Sequence, residues 1–301
     1  MADEIPKLVI STGEHLASRA LGEQGPATDS WELSSPIPGV RIINTWQVYQ
    51  LIWLALVKDE AGHYQIFRSI DLHNYTLVHD HATEIYNLFW VDDGHMIFCA
   101  TDGWWVTTNT GVTWSELTLG ALIPRARTMA VVGLQDQLWS LVAYAEDHKI
   151  YQSDYPGGEW EEAYDTTAIW SDKWYPAIAG GPAGILAGAG GILLRSTAAG
   201  VAGSWNKIQD LSDQGVIKSI VVSNQSNLPV FLITIESPNA EYDQVNLSYD
   251  LGDSLVADSN RIGEVASVQA VTPTGTNEVV TQFAVLGKKA ADLAHTYRII
   301  E

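Results

Sequence analysis

The residues that could do chemistry are acids in short polar segments between apolar runs. The candidate carboxylates are Asp102, Glu146, Asp147 and Asp172. Two such groups facing each other across a pocket could hydrolyse a glycosidic bond, one as the acid and the other as the base or nucleophile. Solvation explains the same residues equally well, since Asp and Glu number 36 against 16 Lys and Arg. A glycoside hydrolase with paired carboxylates is therefore the alternative function, and no catalytic residue is assigned.

Aromatic residues beside polar ones indicate a different chemistry, which is the binding of a sugar ring. The segment 165–175, DTTAIWSDKWY, offers ring faces for stacking together with groups that can hydrogen-bond to hydroxyls. Trp104 and Trp105 follow the turn at Asp102, and alternation along a strand sends only one of the two rings outward. The tentative ligand-binding residues are Trp170, Trp174, Tyr175, Asp172, Trp104 and Asp102. Core packing is the competing explanation for the tryptophans.

His79 and His81 form an H-x-H pair, which is the spacing of a possible metal site. On an extended chain this spacing places both imidazoles on one side, where they could share an ion. Two ligands do not complete a site, and Glu84 or an acid from elsewhere would have to be the third. A hydrated strand end explains the pair as well, so neither a metal nor another cofactor is expected.

Composition excludes several classes of partner. The formal net charge of −20 predicts repulsion of nucleic acid and of anionic lipid headgroups. Cys99 is the single cysteine, so neither an intramolecular disulfide nor a cysteine metal cluster can form. No apolar run approaches the roughly 18 residues of a membrane span. The N-terminus has acidic residues where a secretory signal has basic ones, so we expect no secretion by that route.

Short β-strands must position these residues. From Val40 the apolar runs have strand length and recur between turn residues, as in INTWQVYQ, LIWLALVKD, HYQIFRSID and YTLVHD. Four more groups of four such runs follow, and three last runs, VASVQAV, VVTQFAVLG and HTYRIIE, lack a fourth. Two further strands, KLVIST and SWEL, are predicted before residue 40. Such spacing leaves little room for helices and favours an all-β repeat architecture.

One turn motif recurs between the third and fourth runs of each group. Its best copy reads Thr107-x-Asn109-x-Gly111-x-Thr113-Trp114. The partial copies are Ser69 and Asp71; Ser153, Gly157 and Trp160; Ser196 and Trp205; and Ser248, Asp250 and Gly252. In the copy at Ser196 the interval to the tryptophan is two residues longer, which predicts a lengthened turn. The openings lie about 40 to 50 residues apart, near the length of a four-stranded propeller blade.

This motif resembles the Asp-box, S-x-D-x-G-x-T-W, of BNR-repeat β-propellers. The resemblance implies a single propeller with six four-stranded blades, or seven if both N-terminal strands belong to a blade of their own. Residues 1–39 are expected to contribute a closing strand, and residues 40–301 to form the propeller. The resemblance also implies that the boxes are structural turns and that ligands bind on the opposite face.

The resemblance bears on function as well. Sialidases are Asp-box propellers, but their arginine-isoleucine-proline signature is absent and only Ile123-Pro124-Arg125 comes near it. Photosystem assembly factors are another such class, whose basic binding patch conflicts with the acidic composition. We therefore expect a non-catalytic binding or assembly module that recognises a glycan or a protein. Stand-alone propellers of this kind also resemble virion components such as phage tail or capsid-associated adhesins, so we expect a cytoplasmic protein or one assembled into a virus particle.

Overall fold

The computed structural model is almost entirely β-strand in the part of the chain that it describes. It describes residues 7–11, 16–20, 32–33, 37, 40–49, 52–91, 94–118, 125–133, 138–155, 158–169, 175–181, 183–223, 229–238, 242–257, 262–263, 265–271, 280–287 and 295–300. The one helical element among these residues is a three-residue 3-10 turn, Thr167–Ile169. No helix in the described segments has the length and hydropathy needed to span a membrane.

The described strands form seven antiparallel sheets, which we number in chain order. The first sheet contains β1 (Lys7–Ser11), β2 (Leu16–Ala20) and β3 (Glu32–Leu33). The second contains β4 (Val40–Tyr49), β5 (Ile52–Asp59), β6 (Tyr64–Ser69) and β7 (Thr76–His81). The third contains β8 (Ile85–Trp90), β9 (Met96–Ala100), β10 (Gly103–Thr107) and β11 (Ser115–Leu117).

The remaining four sheets continue the same pattern. The fourth contains β12 (Ala126–Gly133), β13 (Trp139–Ala145), β14 (Lys149–Tyr155) and β15 (Glu161–Asp165). The fifth contains β16 (Ala177–Gly181), β17 (Gly184–Ala189), β18 (Ile192–Ser196) and β19 (Trp205–Asp210). The sixth contains β20 (Val216–Ser223), β21 (Val230–Glu236), β22 (Tyr242–Ser248) and β23 (Val256–Ala257), with β24 (Ile262–Gly263) also on β22. The seventh contains β25 (Val265–Val271), β26 (Val280–Gly287) and β27 (His295–Ile300).

Burial within a sheet follows strand order. The second strands β5, β9, β13, β17 and β21 are buried over nearly their whole length, which explains why they read as continuous apolar runs such as LIWLALV. The fourth strands β11, β15 and β19 are mostly exposed or half-buried. The second to sixth sheets are therefore covered on both faces near the second strand, and the third to fifth are solvated at the fourth.

The chain divides into two compact units, Met1–Thr118 and Leu119–Glu301. In the first unit, one apolar cluster joins Leu54 and Ile66 of the second sheet to Leu88 and Phe98 of the third. In the second unit, corresponding clusters join the fourth sheet to the fifth and the fifth to the sixth. The core of each unit thus lies between consecutive sheets, packed face against face.

The predicted blades agree with the sheets. The five predicted groups of four runs are the second to sixth sheets, and the last three runs form the seventh. Both predicted N-terminal strands lie in the first sheet, as in the alternative with seven blades, and β2 between them was missed. The sequence of β2, LASRA, has only small and polar residues after its leucine and gives little apolar signal. The closing strand expected from residues 1–39 is not tested by these pairings and stays a prediction.

The predicted motif lies at the end of the third strand in these sheets, in connections that we call the motif turns. Thr107 Oγ1 accepts a hydrogen bond from the Gly111 N–H at 3.0 Å, and Asn109 Oδ1 accepts one from the Thr113 N–H at 2.9 Å. In the turn at Ser248, the side chain of that serine and the carboxylate of Asp250 accept the corresponding bonds from residues 252 and 254. The short polar side chains thus hold the turn by accepting its backbone N–H groups.

The three other motif turns show what each sequence change does. At Ser69, the Asp71 carboxylate accepts from the N–H groups of residues 73 and 74. At Ser196, the inserted residues lengthen the turn, and Trp205 Nε1 donates to the Gly200 carbonyl at 2.9 Å. At Ser153 the hydroxyl is buried and has no hydrogen-bond partner among the described residues. Tyr155 stands there in place of the acid and packs against Trp139, with ring centroids 5.7 Å apart. Gly157 of this copy lies outside the described residues.

Three motif turns receive a hydrogen bond from the preceding sheet, and we call these contacts the joints. Each acceptor is the carbonyl of the fourth residue of the turn, which has φ between +51° and +56°. The donor and acceptor pairs are Arg68 Nε to Thr110 at 3.1 Å, Ser140 Oγ to Ala199 at 2.7 Å, and Arg195 Nη1 to Leu251 at 3.4 Å. The left-handed residue of the turn therefore serves as the attachment point for the neighbouring sheet.

Candidate functional site

The candidate residues that the structure describes lie at or near the edge of the sheets opposite the motif turns. Connections between second and third strands, and between one sheet and the next, leave from this edge, which we call the loop edge. In the first unit it comprises residues 59–64, 82–85 and 100–103. In the second unit its described part includes residues 145–149, 165–169, 175–177, 211–216 and 236–238.

In the first unit, the loop edge holds a chain of hydrogen-bonding side chains. His81 Nε2 lies 2.8 Å from Asp102 Oδ1, and the Thr83 hydroxyl donates to the same oxygen at 3.0 Å. On its other side, His81 Nδ1 lies 3.3 Å from His79 Nε2. A neutral His81 that donates its Nε2–H to the carboxylate presents an unprotonated Nδ1 to His79. The structure thus joins the predicted H-x-H pair to a predicted site acid.

Two pKa shifts follow from this arrangement. Burial and, next, the neighbouring His81 lower the pKa of His79 from its ordinary value of 6.5. Burial raises the pKa of Asp102, but the hydrogen bonds from His81 and Thr83 outweigh it and leave the pKa below its ordinary value. At neutral pH the imidazole of His79 is therefore mainly uncharged and the carboxylate of Asp102 is ionised.

Aromatic rings enclose the two histidines. The ring of Trp105 lies 5.3 Å from the rings of both His79 and His81, and it stacks on Phe98 at 5.8 Å. Trp104 points the other way, is 2% exposed and packs near Phe89. Of the two tryptophans, Trp104 belongs to the core, and a ligand contact through its ring would require the third sheet to open.

In the second unit, two adjacent candidate acids have different partners. Glu146 accepts from Arg127 Nε at 2.8 Å and also from its Nη2, and Arg125 Nε lies 3.6 Å away. Asp147 accepts from the Tyr151 hydroxyl at 2.5 Å. Burial and, next, this hydrogen bond raise the pKa of Tyr151 well above its ordinary value. Neither carboxylate is left as a free member of a catalytic pair.

Tyr175 belongs to a second group on the loop edge of this unit. Its hydroxyl donates to Glu236 Oε2 at 2.6 Å, and its ring centroid lies 6.0 Å from Lys218 Nζ. Lys218 pairs with Asp243 at 3.0 Å, and the two side chains are only 15% and 6% exposed. Sequence reasoning missed both partners of Tyr175 and the Asp243 carboxylate that pairs with Lys218, although a lysine inside the apolar run of β20 is a visible signal. Trp170, Asp172 and Trp174 lie outside the described residues, so their expected roles stay predictions.

No group of three or more His, Cys, Asp or Glu side chains within the described residues is arranged to hold a metal ion. The described part of the loop edge offers acids that are held by basic or hydroxyl groups, together with half-buried aromatic rings. Such a surface can bind a partner through fixed charges and hydrogen bonds.

No protein-family model matches this chain, and no curated protein matches it. Solved structures do match along nearly its whole length. A structure of YCF48 bound to D1 peptide covers 98% of this chain and 90% of its own, with 12% identity and a TM-score of 0.62. One of BBS1N in complex with ARL6DN covers 100% and 89%, with 12% identity and a TM-score of 0.63. A GH74 enzyme from Niastella koreensis covers 95% of this chain but 39% of its own, with 13% identity and a TM-score of 0.60.

At such low identities the likeness shows the fold alone. Five consecutive four-stranded antiparallel sheets agree with it, as do the apolar cores between consecutive sheets within each unit. The protein is a β-propeller, and its sheets are the blades.

Proposed function

We propose that this protein is a non-catalytic binding or assembly module of the β-propeller class that recognises a protein partner at its loop edge. The observation that carries the proposal is the engagement of the candidate acids. The three candidate acids that the structure describes, Asp102, Glu146 and Asp147, each accept a hydrogen bond from a neighbouring side chain, and Glu236 accepts one from Tyr175. A hydrolase of the paired-carboxylate type needs one acid with a raised pKa facing a second carboxylate. Asp102 has the opposite shift.

The solved propellers give independent support by analogy. YCF48 was solved with a D1 peptide and BBS1N with ARL6DN, so propellers of similar size and fold hold peptides and proteins. The GH74 enzyme shares the fold, but the match covers only 39% of its chain. Fold alone does not transfer either function, and the engaged acids favour binding over hydrolysis.

The charge balance specifies the partner further. With a net charge of −20, the surface repels acidic partners and steers basic ones towards it at low ionic strength. We therefore propose a partner with a basic or neutral contact segment. A glycan stacked on Trp170, Trp174 and Tyr175 is the second candidate ligand. We further propose that the protein acts in the cytoplasm or as part of a virus particle.

The test is a binding screen of the purified protein on arrays of short basic, neutral and acidic peptides and of glycans. The loop-edge variant Glu146→Gln/Asp147→Asn removes two charges at that edge. The matched variant Asp154→Asn/Asp253→Asn removes two exposed charges near the motif turns of the same unit. We expect basic peptides to bind and the loop-edge variant to lose most of this binding, while the matched variant keeps it.

Other outcomes separate the alternatives. Binding to glycans alone, lost in Trp170→Ala/Trp174→Ala, would support the glycan proposal. Cleavage of any bound glycan would establish the hydrolase. Equal loss of peptide binding in both charge variants would contradict the assignment to the loop edge, because it would reflect overall charge.

A further inference from the structure

The pair of imidazoles at the end of β7 has a geometry that a simple strand end does not require. His79 and His81 lie two residues apart and point to the same side, with ring planes at 27° to each other. They face each other through Nε2 and Nδ1, which are 3.3 Å apart. This distance is at the long end of hydrogen bonding, since N–H···O bonds in proteins usually span about 2.7–3.2 Å.

The same distance fits an ion shared by both rings. A Zn²⁺–imidazole bond is about 2.0–2.1 Å, and tetrahedral geometry then places two ligand nitrogens about 3.3–3.4 Å apart. We propose that His79 Nε2 and His81 Nδ1 form a binding site for a first-row transition-metal ion that prefers imidazole, such as Zn²⁺, Cu²⁺ or Ni²⁺. The ion takes the place of the proton between the two rings of β7.

Asp102 supplies the support that metal-binding histidines commonly have. Its carboxylate lies 2.8 Å from His81 Nε2, so it fixes the tautomer that leaves Nδ1 unprotonated for the metal. The Thr83 hydroxyl in turn orients this carboxylate. The rings of Phe98 and Trp105, 5.3–5.4 Å from the imidazoles, restrict their rotation. This pre-organisation lowers the entropy cost of binding.

The site has two protein ligands among the described residues, where no third His, Cys, Asp or Glu converges on it. Asp80 projects to the other side of the strand, where its carboxylate lies 3.8 Å from His63 Nδ1. Water, or a donor atom of a bound molecule, completes the coordination. The ion is therefore exchangeable, and its binding does not depend on the proposed function of the loop edge.

The experiment titrates the untagged protein with Zn²⁺ alone by calorimetry and with Cu²⁺ alone by electron paramagnetic resonance. We expect one ion per chain at this site, with the Cu²⁺ spectrum showing hyperfine coupling to two imidazole nitrogens. His79→Phe keeps a ring against Phe98 and Trp105 and should abolish this binding. Asp102→Ala leaves both ligands in place and should weaken binding about 10-fold to 100-fold. His63→Gln, an exposed histidine of the same sheet, should leave it unchanged.

Two results would overturn the proposal. One is the absence of stoichiometric binding by the wild-type protein, in which case the two rings share only a hydrogen bond. The other is binding by His79→Phe equal to that of the wild-type protein, which would place the ion elsewhere. The two-nitrogen signature is measured on the wild-type protein, so the test stands even if a variant fails to fold.

Discussion

Two glycines in one motif turn allow two contributions to the free energy of unfolding to be separated, one from packing between sheets and one from backbone conformation. Gly200 and Gly203 lie three residues apart in the turn at Ser196, with nearly equal φ of +81° and +80°. A Cβ added to Gly200 would lie 2.5 Å from Val142 Cγ2 of the preceding sheet, whereas one added to Gly203 would meet nothing within 4 Å. Alanine at the two positions therefore has the same backbone cost and a different steric cost.

The magnitudes follow from these contacts. Placing an L-residue in the left-handed region costs about 1–2 kcal/mol, and this is the whole effect expected for Gly203→Ala. At Gly200 the methyl group must displace Val142, and overpacking of a core adds about 1–3 kcal/mol. We therefore expect Gly200→Ala to lower the free energy of unfolding by about 2–5 kcal/mol.

The assay is urea denaturation of both variants, with the free-energy difference taken from the shift in midpoint at constant slope. The double variant Gly200→Ala/Val142→Ala supplies a second check, because the smaller side chain makes room for the added methyl. The double-mutant cycle formed by these substitutions should show a favourable coupling energy between positions 200 and 142 of at least about 1 kcal/mol. Equal destabilisation by the two single variants, or additive effects in the cycle, would refute the claim that the turn packs against the preceding sheet.

Three further predictions concern charged groups. Arg195→Met removes one joint and the pair with Asp253 at 2.7 Å, and because the pair is partly exposed we expect a loss of only about 1 kcal/mol in urea denaturation. Lys218→Met leaves the buried Asp243 carboxylate without its cation and should cost on the order of 3 kcal/mol, whereas adding Asp243→Asn should recover part of the loss. The pKa of Asp71 lies well below 3.8 in the folded protein, mainly because Asn74 and His73 donate hydrogen bonds to it. The ionised carboxylate therefore stabilises the fold fully above pH 3.8, and this contribution is lost as pH falls through the folded-state pKa. Thermal melts should show that Asp71→Asn lowers the melting temperature relative to wild type at neutral pH, and that the difference shrinks at acid pH.

The sheets and motif turns could be predicted because their signals are local. A turn such as the one at Thr107 is held by residues within a few positions of each other, so its sequence carries the whole pattern. The burial of the second strands can likewise be predicted from their continuous apolar sequences. β2 was missed because its small and polar residues carry no such signal, although in the structure it pairs with β1 and β3 as an extended strand.

The site could be predicted only in part, because its contacts join distant positions. The H-x-H pair and Asp102 were both visible, but the bond between them depends on how the second and third sheets pack. The same holds for the hydrogen bond between Tyr175 and Glu236, which are 61 residues apart in the chain. Sequence spacing predicts which side chains share one face of a strand. It does not predict which residue of a neighbouring sheet will contact them.

The joints have a consequence for how such a chain can change in length. In the fifth sheet, Arg195 donates to the next motif turn, while the carbonyl of Ala199 accepts from the sheet before it. This sheet thus carries a donor for the sheet that follows it and an acceptor for the sheet that precedes it. Loss of the whole fifth sheet would remove Arg195 and Ala199 together, whereas loss of β18 alone would leave the Leu251 carbonyl without its arginine. At the fifth sheet, a change in chain length therefore disturbs the joints least when it includes the whole sheet.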